Sequence, residues 1–166
     1  EAVNILNLSE DEIIVNVQGD EPFIEVEVVE AVINRVKQIK ENNEDIMITS
    51  CYKEISSSLA DDPNHVKVIL DEHSNAIYFS RAKVPYHRDH HENATYSGHL
   101  GIYGFTKKSL NAFCKLPSSK LENIEKLEQL RAIDNGHKIA MVKVVSKSFG
   151  IDTQEDLNNA LKIFGK

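Results

Sequence analysis

The sequence predicts an α/β protein with a mixed, mostly parallel sheet. A run rich in β-branched residues, Ile13 to Gln18 (IIVNVQ), ends in the turn-forming cluster Gly-Asp-Glu-Pro and has the character of a buried strand. Strand character returns at Ile46 to Tyr52 (IMITSCY). The apolar residues between these strands are spaced as on one helix face: Val28, Val29, Val32, Ile33, Val36 and Ile39. Strand, helix and strand with short loops favour parallel strands joined by crossover helices.

The flanking and middle segments are less regular. Residues 1–8 resemble the last turns of a helix. Val66 to Leu70 and Ala76 to Ser80 are predicted as a hairpin around a polar turn. Ala82 to Gly98 is long and polar, which is typical of an ordered functional loop or an interface arm.

The next part of the chain contains one predicted strand and two predicted helices. His99 to Phe105 (HLGIYGF) is predicted as a strand whose glycines allow close backbone approach. Thr106 is a suitable cap for a helix over Lys107 to Lys115. A longer helix follows Pro117 and ends at Gly136. Its inward side chains are predicted to be Leu121, Ile124, Leu127, Leu130 and Ile133.

A strand and a helix complete the predicted order. Lys138 to Val145 is expected to be a strand, and Gln154 to Phe164 a helix. Thr153 to Asp156 resembles a capping box for that helix, with Asp in place of the usual Glu or Gln.

Composition bounds the function. The chain has 166 residues, 41% hydrophobic and 27% charged, as in an ordinary soluble globular domain. Its net charge of −7 argues against a general nucleic-acid binder. There is no apolar run long enough for a membrane span and no visible signal peptide. Cys51 and Cys114 do not form a CxxC pair, so a reduced, cytoplasmic setting with both as small core residues is expected.

Two aspartates are candidate metal ligands. Asp20 follows the end of a buried strand, where open α/β sheets bind ligands, and a carboxylate there suits Mg²⁺. Asp152 comes just before the last helix and could complete the site with Asp20. The alternative is that both only cap helices or form turns.

Other polar residues are candidates for a binding pocket. The planar guanidinium of Arg81 suits a carboxylate or phosphate, although a surface ion pair is the simpler interpretation. His99 and Tyr103 share one face of a strand and could line a pocket or form a half-buried polar patch. For Glu128, Gln129 and Arg131 the default interpretation is a solvated helix face.

A histidine cluster, His87, His90 and His91, suggests zinc only superficially. Its spacing matches no known zinc motif, so a solvated loop is the favoured interpretation.

Five segments of the chain carry distinctive motifs. They are IIVNVQGDEPFI (13–24), NHVKVILDEHSNAIYFSRAKVPYHRD (64–89), HLGIYGF (99–105), LENIEKLEQLRAIDNG (121–136) and GIDTQEDL (150–157). Together they resemble the CMP-Kdo synthetase family, the cytidylyltransferases that activate the sugar acid Kdo, along essentially the whole chain. YFSRxxxP, HLGIYG and IExLEQLR are more selective than VNVQGDEP, which related sugar nucleotidyltransferases share.

The resemblance implies a Rossmann-like sheet of the nucleotide-diphospho-sugar transferase type, in an enzyme that joins CTP to Kdo and releases pyrophosphate. It implies that Asp20 and Asp152 hold a catalytic Mg²⁺. Residues 64–98 resemble the region through which family members form homodimers. The residues implied to line the sugar-acid pocket are Gln18, Arg81, His99, Tyr103, Glu128 and Gln129.

The sequence also departs from the family pattern. Tyr86 stands where Trp is frequent, and Gln154 replaces a common Pro. The chain begins with Glu1, and the basic, glycine-rich loop that binds the triphosphate has no match, so we expect a fragment that lacks the N-terminal strands and is inactive alone. Two alternatives remain open, a non-catalytic sugar-acid-binding or dimerisation remnant and a sister enzyme for another sugar acid.

Overall fold

The structure is a computed structural model that describes residues 2–89, 94–151 and 154–164. These residues form one six-stranded sheet with helices packed against it. The strands are β1 (Ile13–Val17), β2 (Ile48–Ser56), β3 (Lys67–Leu70), β4 (Ala76–Ser80), β5 (Thr95–Thr106) and β6 (Ile139–Lys143). The helices are α1 (Ala2–Ile5), α2 (Val26–Asn42), α3 (Ser57–Ala60), α4 (Lys107–Phe113), α5 (Lys120–Glu125), α6 (Leu130–Asp134) and α7 (Gln154–Phe164).

The sheet is mixed, as predicted, and is arranged around the long strand β5. The strand order is β4-β3-β5-β2-β6, with β1 also paired to β5. Because β1 and β2 are both antiparallel to β5, they run in the same direction, and β6 is parallel to β2. Strands β1, β2 and β6 therefore all run in one direction. Because β5 lies between β1 and β2 and runs the opposite way, most of the described strand pairings are antiparallel.

Helix α2 covers one face of the sheet through the predicted apolar stripe. Val28, Val32, Val36 and Ile39 are buried on it. At Gly104 of β5, an added Cβ would lie 2.7 Å from Val32 Cγ1, closer than packed side chains tolerate. The predicted close backbone approach at this strand is confirmed, because only a residue without a side chain lets α2 pack at that distance.

The predicted hairpin and the predicted helix cap at Thr106 are also present. β3 and β4 pair antiparallel around the turn at residues 71–75. Thr106 begins α4 with a capping box: its hydroxyl accepts from Ser109 N at 3.0 Å, and its N–H donates to Ser109 Oγ at 3.1 Å. The capping box predicted at Thr153 lies outside the described residues, but α7 itself has the predicted bounds.

The single helix predicted after Pro117 is wrong, because the chain turns at Lys126. Lys126 is left-handed, with φ of 56°, and it separates α5 from α6. This turn breaks the predicted inward face, so Ile124 is 65% exposed while Leu127 and Leu130 are buried. Gly136, with φ of 79°, follows α6 as predicted.

The two cysteines differ. Cys51 is buried in β2, and burial raises the pKa of its thiol to about 12. Cys114 is exposed just after α4, so the prediction of a core position is wrong for this residue. Both thiols are free. Within the described ranges, no helix has the length and apolar character needed to cross a bilayer.

Candidate functional site

A cavity of about 540 Å³ lies between the sheet and the chain segments that follow β1, β4, α5 and β6. All seven predicted site residues that the structure describes line it: Gln18, Asp20, Arg81, His99, Tyr103, Glu128 and Gln129. The eighth, Asp152, lies outside the described residues. Gly150, two positions earlier, also lines the cavity. Their functional roles stay predictions, but the cavity brings together side chains that are as far apart in sequence as Gln18 and Gln129.

Arg81 follows β4 and is held by backbone carbonyls. Its Nε donates to Glu125 O at 2.8 Å, and its Nη1 donates to Pro63 O at 3.1 Å. The ion pairs found among the described residues do not include Arg81. The surface ion pair considered from the sequence is therefore absent from that part of the chain, and the guanidinium keeps further N–H groups for a ligand.

Glu125, at the end of α5, joins this helix to β4. One carboxylate oxygen accepts from Ser80 Oγ at 2.7 Å, and the other accepts from Arg81 N at 3.0 Å. Burial opposes ionisation, but these hydrogen bonds outweigh it and lower the pKa of Glu125. The ionised carboxylate thus fixes the backbone of Arg81.

His99 has one possible tautomer in the described contacts. Ser50 Oγ donates its single proton to Ile102 O at 2.7 Å, since a carbonyl can only accept. His99 Nε2, 2.9 Å from the same oxygen, must then be the donor to Ser50. Burial lowers the pKa of His99 to about 3, so the ring is neutral and Nδ1 is an acceptor.

Tyr103 lies on the same face of β5, and its ring centroid is 5.5 Å from that of His99. Burial raises the pKa of its phenol, and the nearby carboxylates of Glu128 and Asp20 raise it further. Tyr103 therefore keeps its proton and can donate a hydrogen bond.

Gln129 is not on a solvated helix face. It is 3% exposed, and its Nε2 has no hydrogen-bond partner among the described residues. The residue lies between the main cavity and a neighbouring, more apolar cavity of about 270 Å³. A buried amide without an acceptor costs folding free energy, so this group points to a ligand or water acceptor.

The side chain of Arg131 also contacts other side chains instead of lying on a solvated helix face. Its Nε donates to Glu122 Oε2 at 2.9 Å, its Nη2 donates to the other oxygen, and its guanidinium lies over the ring of Phe113. This bidentate pairing outweighs the opposing effect of burial and lowers the pKa of Glu122 to about 2. The pair ties α5 to α6 behind Gln129.

Asp20 lies in another part of the cavity wall, called here the Asp20 end, next to the chain that leads to Asp152. Its backbone carbonyl accepts from Ile151 N at 2.9 Å. Its carboxylate receives no hydrogen bond from any residue in the described ranges, and both oxygens are of the type that hard cations prefer.

A second group of residues, which the sequence analysis did not identify, holds the segment between β6 and α7 in place. Glu21 Oε2 accepts from Ser148 Oγ at 2.7 Å, and Lys53 Nζ donates to Ser148 O. Glu25 accepts from Ser146 Oγ at 2.6 Å and from Lys147 N at 2.7 Å. These contacts fix the segment that carries Phe149 and Gly150 into the cavity wall. The only sequence indication was the position of Glu21 beside Asp20.

The zinc interpretation of the histidine cluster gains no support. In the part of the chain that the structure covers, no three His, Cys, Asp or Glu side chains are grouped as a metal site. His87 instead packs edge-on against Tyr96, with ring centroids 5.0 Å apart. His90 and His91 lie outside the described residues.

The chain matches curated sequences along nearly its whole length. A family profile described as cytidylyltransferase matches residues 1–139. A 3-deoxy-manno-octulosonate cytidylyltransferase of Wolinella succinogenes is 54% identical over 99% of this chain and 68% of the relative. The enzymes of that name from Nitratiruptor sp. and Helicobacter pylori are 52% and 50% identical, over 65% and 66% of their own lengths. The chain thus spans about two thirds of these relatives.

Comparison with solved structures also points to this family. CMP:2-keto-3-deoxy-manno-octonic acid synthetase complexed with CTP superposes with a TM-score of 0.82 at 32% identity, over 98% of this chain and 65% of that one. A putative glucose-1-phosphate thymidylyltransferase from Bacillus anthracis shares the fold alone, with a TM-score of 0.54 at 14% identity. The family identified from sequence motifs is confirmed, and the chain belongs to the 3-deoxy-manno-octulosonate cytidylyltransferase (CMP-Kdo synthetase) family of nucleotidyltransferases.

Proposed function

We propose that the protein transfers a cytidylyl group from CTP to Kdo, giving CMP-Kdo and pyrophosphate for lipopolysaccharide biosynthesis. The observation that supports this most is the cavity in a chain of this family. Among the described residues, it combines a guanidinium that forms no ion pair, neutral polar groups and a carboxylate that accepts no hydrogen bond. Such a cavity suits an anionic, polyhydroxylated ligand.

Arg81 would bind the carboxylate of the sugar acid. Its guanidinium is oriented by Glu125 O and Pro63 O, so little rotamer entropy remains to be lost when an anion binds. A planar guanidinium and a carboxylate match in geometry and charge. This end of the cavity therefore supplies the selectivity for an acid over a neutral sugar.

Three neutral groups would read the hydroxyls. Tyr103 O–H and Gln129 Nε2 are donors, and His99 Nδ1 is an acceptor. Glu128 and Gln18 add an acceptor carboxylate and an amide to the same wall. A site with fixed donors and acceptors rejects sugars that lack the matching hydroxyl, because a buried group would then stay unpaired.

Asp20 and Asp152 would hold Mg²⁺. Two observations support this metal site. The carboxylate oxygens of Asp20 accept no hydrogen bond from a described residue, and they are hard ligands of the kind that Mg²⁺ prefers. The hydrogen bond from Ile151 N to Asp20 O brings the residue before Asp152 next to Asp20. Bound there, Mg²⁺ would neutralise phosphate charge and lower the pKa of the sugar's hydroxyl.

The chemical step follows from positioning. The anomeric hydroxyl oxygen of Kdo attacks the α-phosphorus of CTP in line. The bond from that phosphorus to the bridging oxygen breaks, pyrophosphate leaves with that oxygen, and the hydroxyl proton passes to solvent water. Arg81 and the polar groups that line the cavity orient the attacking oxygen by holding the rest of the sugar acid. Phosphoryl transfer of this kind depends mainly on orientation and charge neutralisation.

The assembly and location belong to the same proposal. The hairpin and loop insert, residues 64–98, would form a homodimer interface, and Ile77 of β4, which is 53% exposed, supplies apolar surface for it. Light scattering of the purified protein measures its mass directly, and a monomeric mass at working concentration would contradict the homodimer.

A cytoplasmic location agrees with the free thiols of Cys51 and Cys114 and with the use of CTP.

The test is pyrophosphate release by the protein expressed from its complete reading frame. CTP, Kdo and Mg²⁺ are supplied together and then each is omitted in turn. Release that requires all three supports the function, whereas no release from folded protein contradicts it. Release with sialic acid in place of Kdo would assign the protein to the sister enzymes.

A further inference from the structure

Lys67, the first residue of the hairpin strand β3, is unusual because it is fully buried. Its exposed fraction is 0%. Lysine is rarely buried completely unless its ammonium group has fixed partners. Its Nζ donates to Arg81 O at 2.7 Å and to Asp62 O at 3.1 Å. Both acceptors are backbone carbonyls, so the side chain joins two segments of main chain.

These two segments are the ones that hold the Arg81 side chain. Asp62 precedes Pro63, whose carbonyl accepts from Arg81 Nη1. The same turn is closed by Asn64 N, which donates to Asp62 Oδ1 at 2.8 Å. Lys67 therefore fixes both the backbone of Arg81 and the turn that orients its guanidinium.

The charge of Lys67 also lies next to that of Arg81. Burial lowers the pKa of Lys67, and Arg81 lowers it further, while the carboxylates of Asp62, Asp61 and Glu125 favour the charged form. No ion pair within hydrogen-bonding distance involves Lys67 in the described part of the chain. The end of the cavity at Arg81 is thus backed by a second basic group.

We propose that Lys67 is a positioning residue for carboxylate recognition: it holds the guanidinium of Arg81 in the orientation that binds the acid group of the sugar. The ligand's identity rests on the proposed function, but the link from Lys67 to Arg81 rests on contacts of this chain alone. Lys67 itself does not line the cavity.

The first test separates substrate affinity from turnover. In the protein from the complete reading frame, Lys67→Met should raise KM for Kdo roughly tenfold and leave KM for CTP within about twofold, because misorientation of one anchoring group affects only the ligand that it holds. Preference for Kdo over its carboxamide should fall by a similar factor. General destabilisation would not act on the acid group alone.

A matched control is available on the same turn. Lys83 pairs with Asp61, next to Asp62, at 2.9 Å, and no hydrogen bond found among the described residues joins it to Arg81. Lys83→Met removes a neighbouring cation and should leave both the acid preference and KM for Kdo unchanged. If Lys67→Met does not fold, Lys67→Gln, which keeps one amide donor, takes its place and should give a smaller change in the same direction.

The second test does not depend on any ligand. In the protein from the complete reading frame, the Nε–H resonance of Arg81 can be assigned by its loss in Arg81→Lys. Hydrogen exchange at this Nε should be slow in the wild type and in Lys83→Met, and fast in Lys67→Met. A folded Lys67 variant with unchanged exchange overturns the positioning role, even if the enzyme prefers Kdo. Fast exchange without any preference for Kdo would instead sink the proposed function and leave the role of Lys67 standing.

Discussion

The two ends of the cavity are built differently. At the Arg81 end, the charged side chain itself is fixed, since its guanidinium donates to two carbonyls. At the Asp20 end, the surrounding backbone is fixed while the carboxylate has no donor among the described residues. An oriented guanidinium is suited to one anion in one pose. A carboxylate on a fixed backbone is suited to receive a cation whose other ligands come from solvent and substrate.

The comparison predicts different kinetic effects. Loss of the free carboxylate should act on the chemical step, and loss of the oriented guanidinium should act on affinity for the sugar acid.

The largest effect is expected for Asp20→Asn. Turnover in the complete protein should fall by roughly a thousandfold, because an amide supplies no charge for a cation. The free energy of unfolding should change by less than about 0.5 kcal/mol, since no described hydrogen bond to the side chain is lost. Pyrophosphate release and chemical denaturation measure the two quantities. Asp45→Asn, at an exposed position outside the cavity lining, is the control, and retained turnover in Asp20→Asn would show that the Asp20 end has another role.

Arg81→Lys tests the opposite end. Lysine keeps the charge but cannot donate to Glu125 O and Pro63 O while also binding a carboxylate in two places. We expect KM for Kdo to rise about a hundredfold with KM for CTP nearly unchanged. If kcat fell while KM for Kdo stayed the same, Arg81 would act on the chemical step. The Arg81 end and the Asp20 end would then not differ in their kinetic effects.

A smaller effect is expected for the ion pair between Glu122 and Arg131, which joins α5 to α6. Glu122→Gln should lower the free energy of unfolding by about 2 kcal/mol, because it leaves Arg131 partly buried without its partner. The control is Glu44→Gln in the more exposed bidentate pair with Arg35, for which less than about 1 kcal/mol is expected.

The same pair has a defined pH dependence. The pKa of Glu122 is lowered from 4.5 to about 2 in the folded protein. Its stabilisation is therefore fully present above pH 4.5 and is lost as the pH falls from there towards 2. Urea denaturation at several pH values should show the difference between wild type and Glu122→Gln shrinking across this window, and a constant difference would contradict the assigned pKa.

The smallest effect concerns the fixed backbone near Asp20. Ser148→Ala removes one hydrogen bond to the buried carboxylate of Glu21 and should lower stability by about 1 kcal/mol. Hydrogen exchange of Gly150 and Ile151 should become faster, while exchange around Arg81 stays the same. Faster exchange at both ends would mean that they are not held independently.

Local patterns were sufficient for several elements, but Gln18, Glu128 and Gln129 of the cavity wall were identified only by the family resemblance. Helix α2 followed from the spacing of its valines, and Asp20 and Arg81 were identified because each follows a strand in a chain of recognisable motifs. The position of β5 between β1 and β2 could not be predicted in this way, because strand partners are chosen by contacts far apart in sequence.

The same limit explains the site residues that were missed. Glu21 and Ser148 are 127 positions apart and Glu25 and Ser146 are 121 apart, so no local pattern relates them. The turn at Lys126 was missed for another reason. The surrounding residues, LENIEKLEQLR, are good helix formers, and only the tertiary packing of Leu127 and Leu130 decides that the helix stops.

The turn at Lys126 places a cost of about 1 kcal/mol on folding, because a left-handed backbone suits glycine and not a residue with a side chain. Glycine at this position would relieve that strain. It would also remove one of the two lysines that line the cavity among the described residues, the other being Lys53. Stability and the electrostatic attraction of an anionic ligand are thus in opposition at one residue, and a more thermostable variant with glycine here is expected to capture its substrate more slowly.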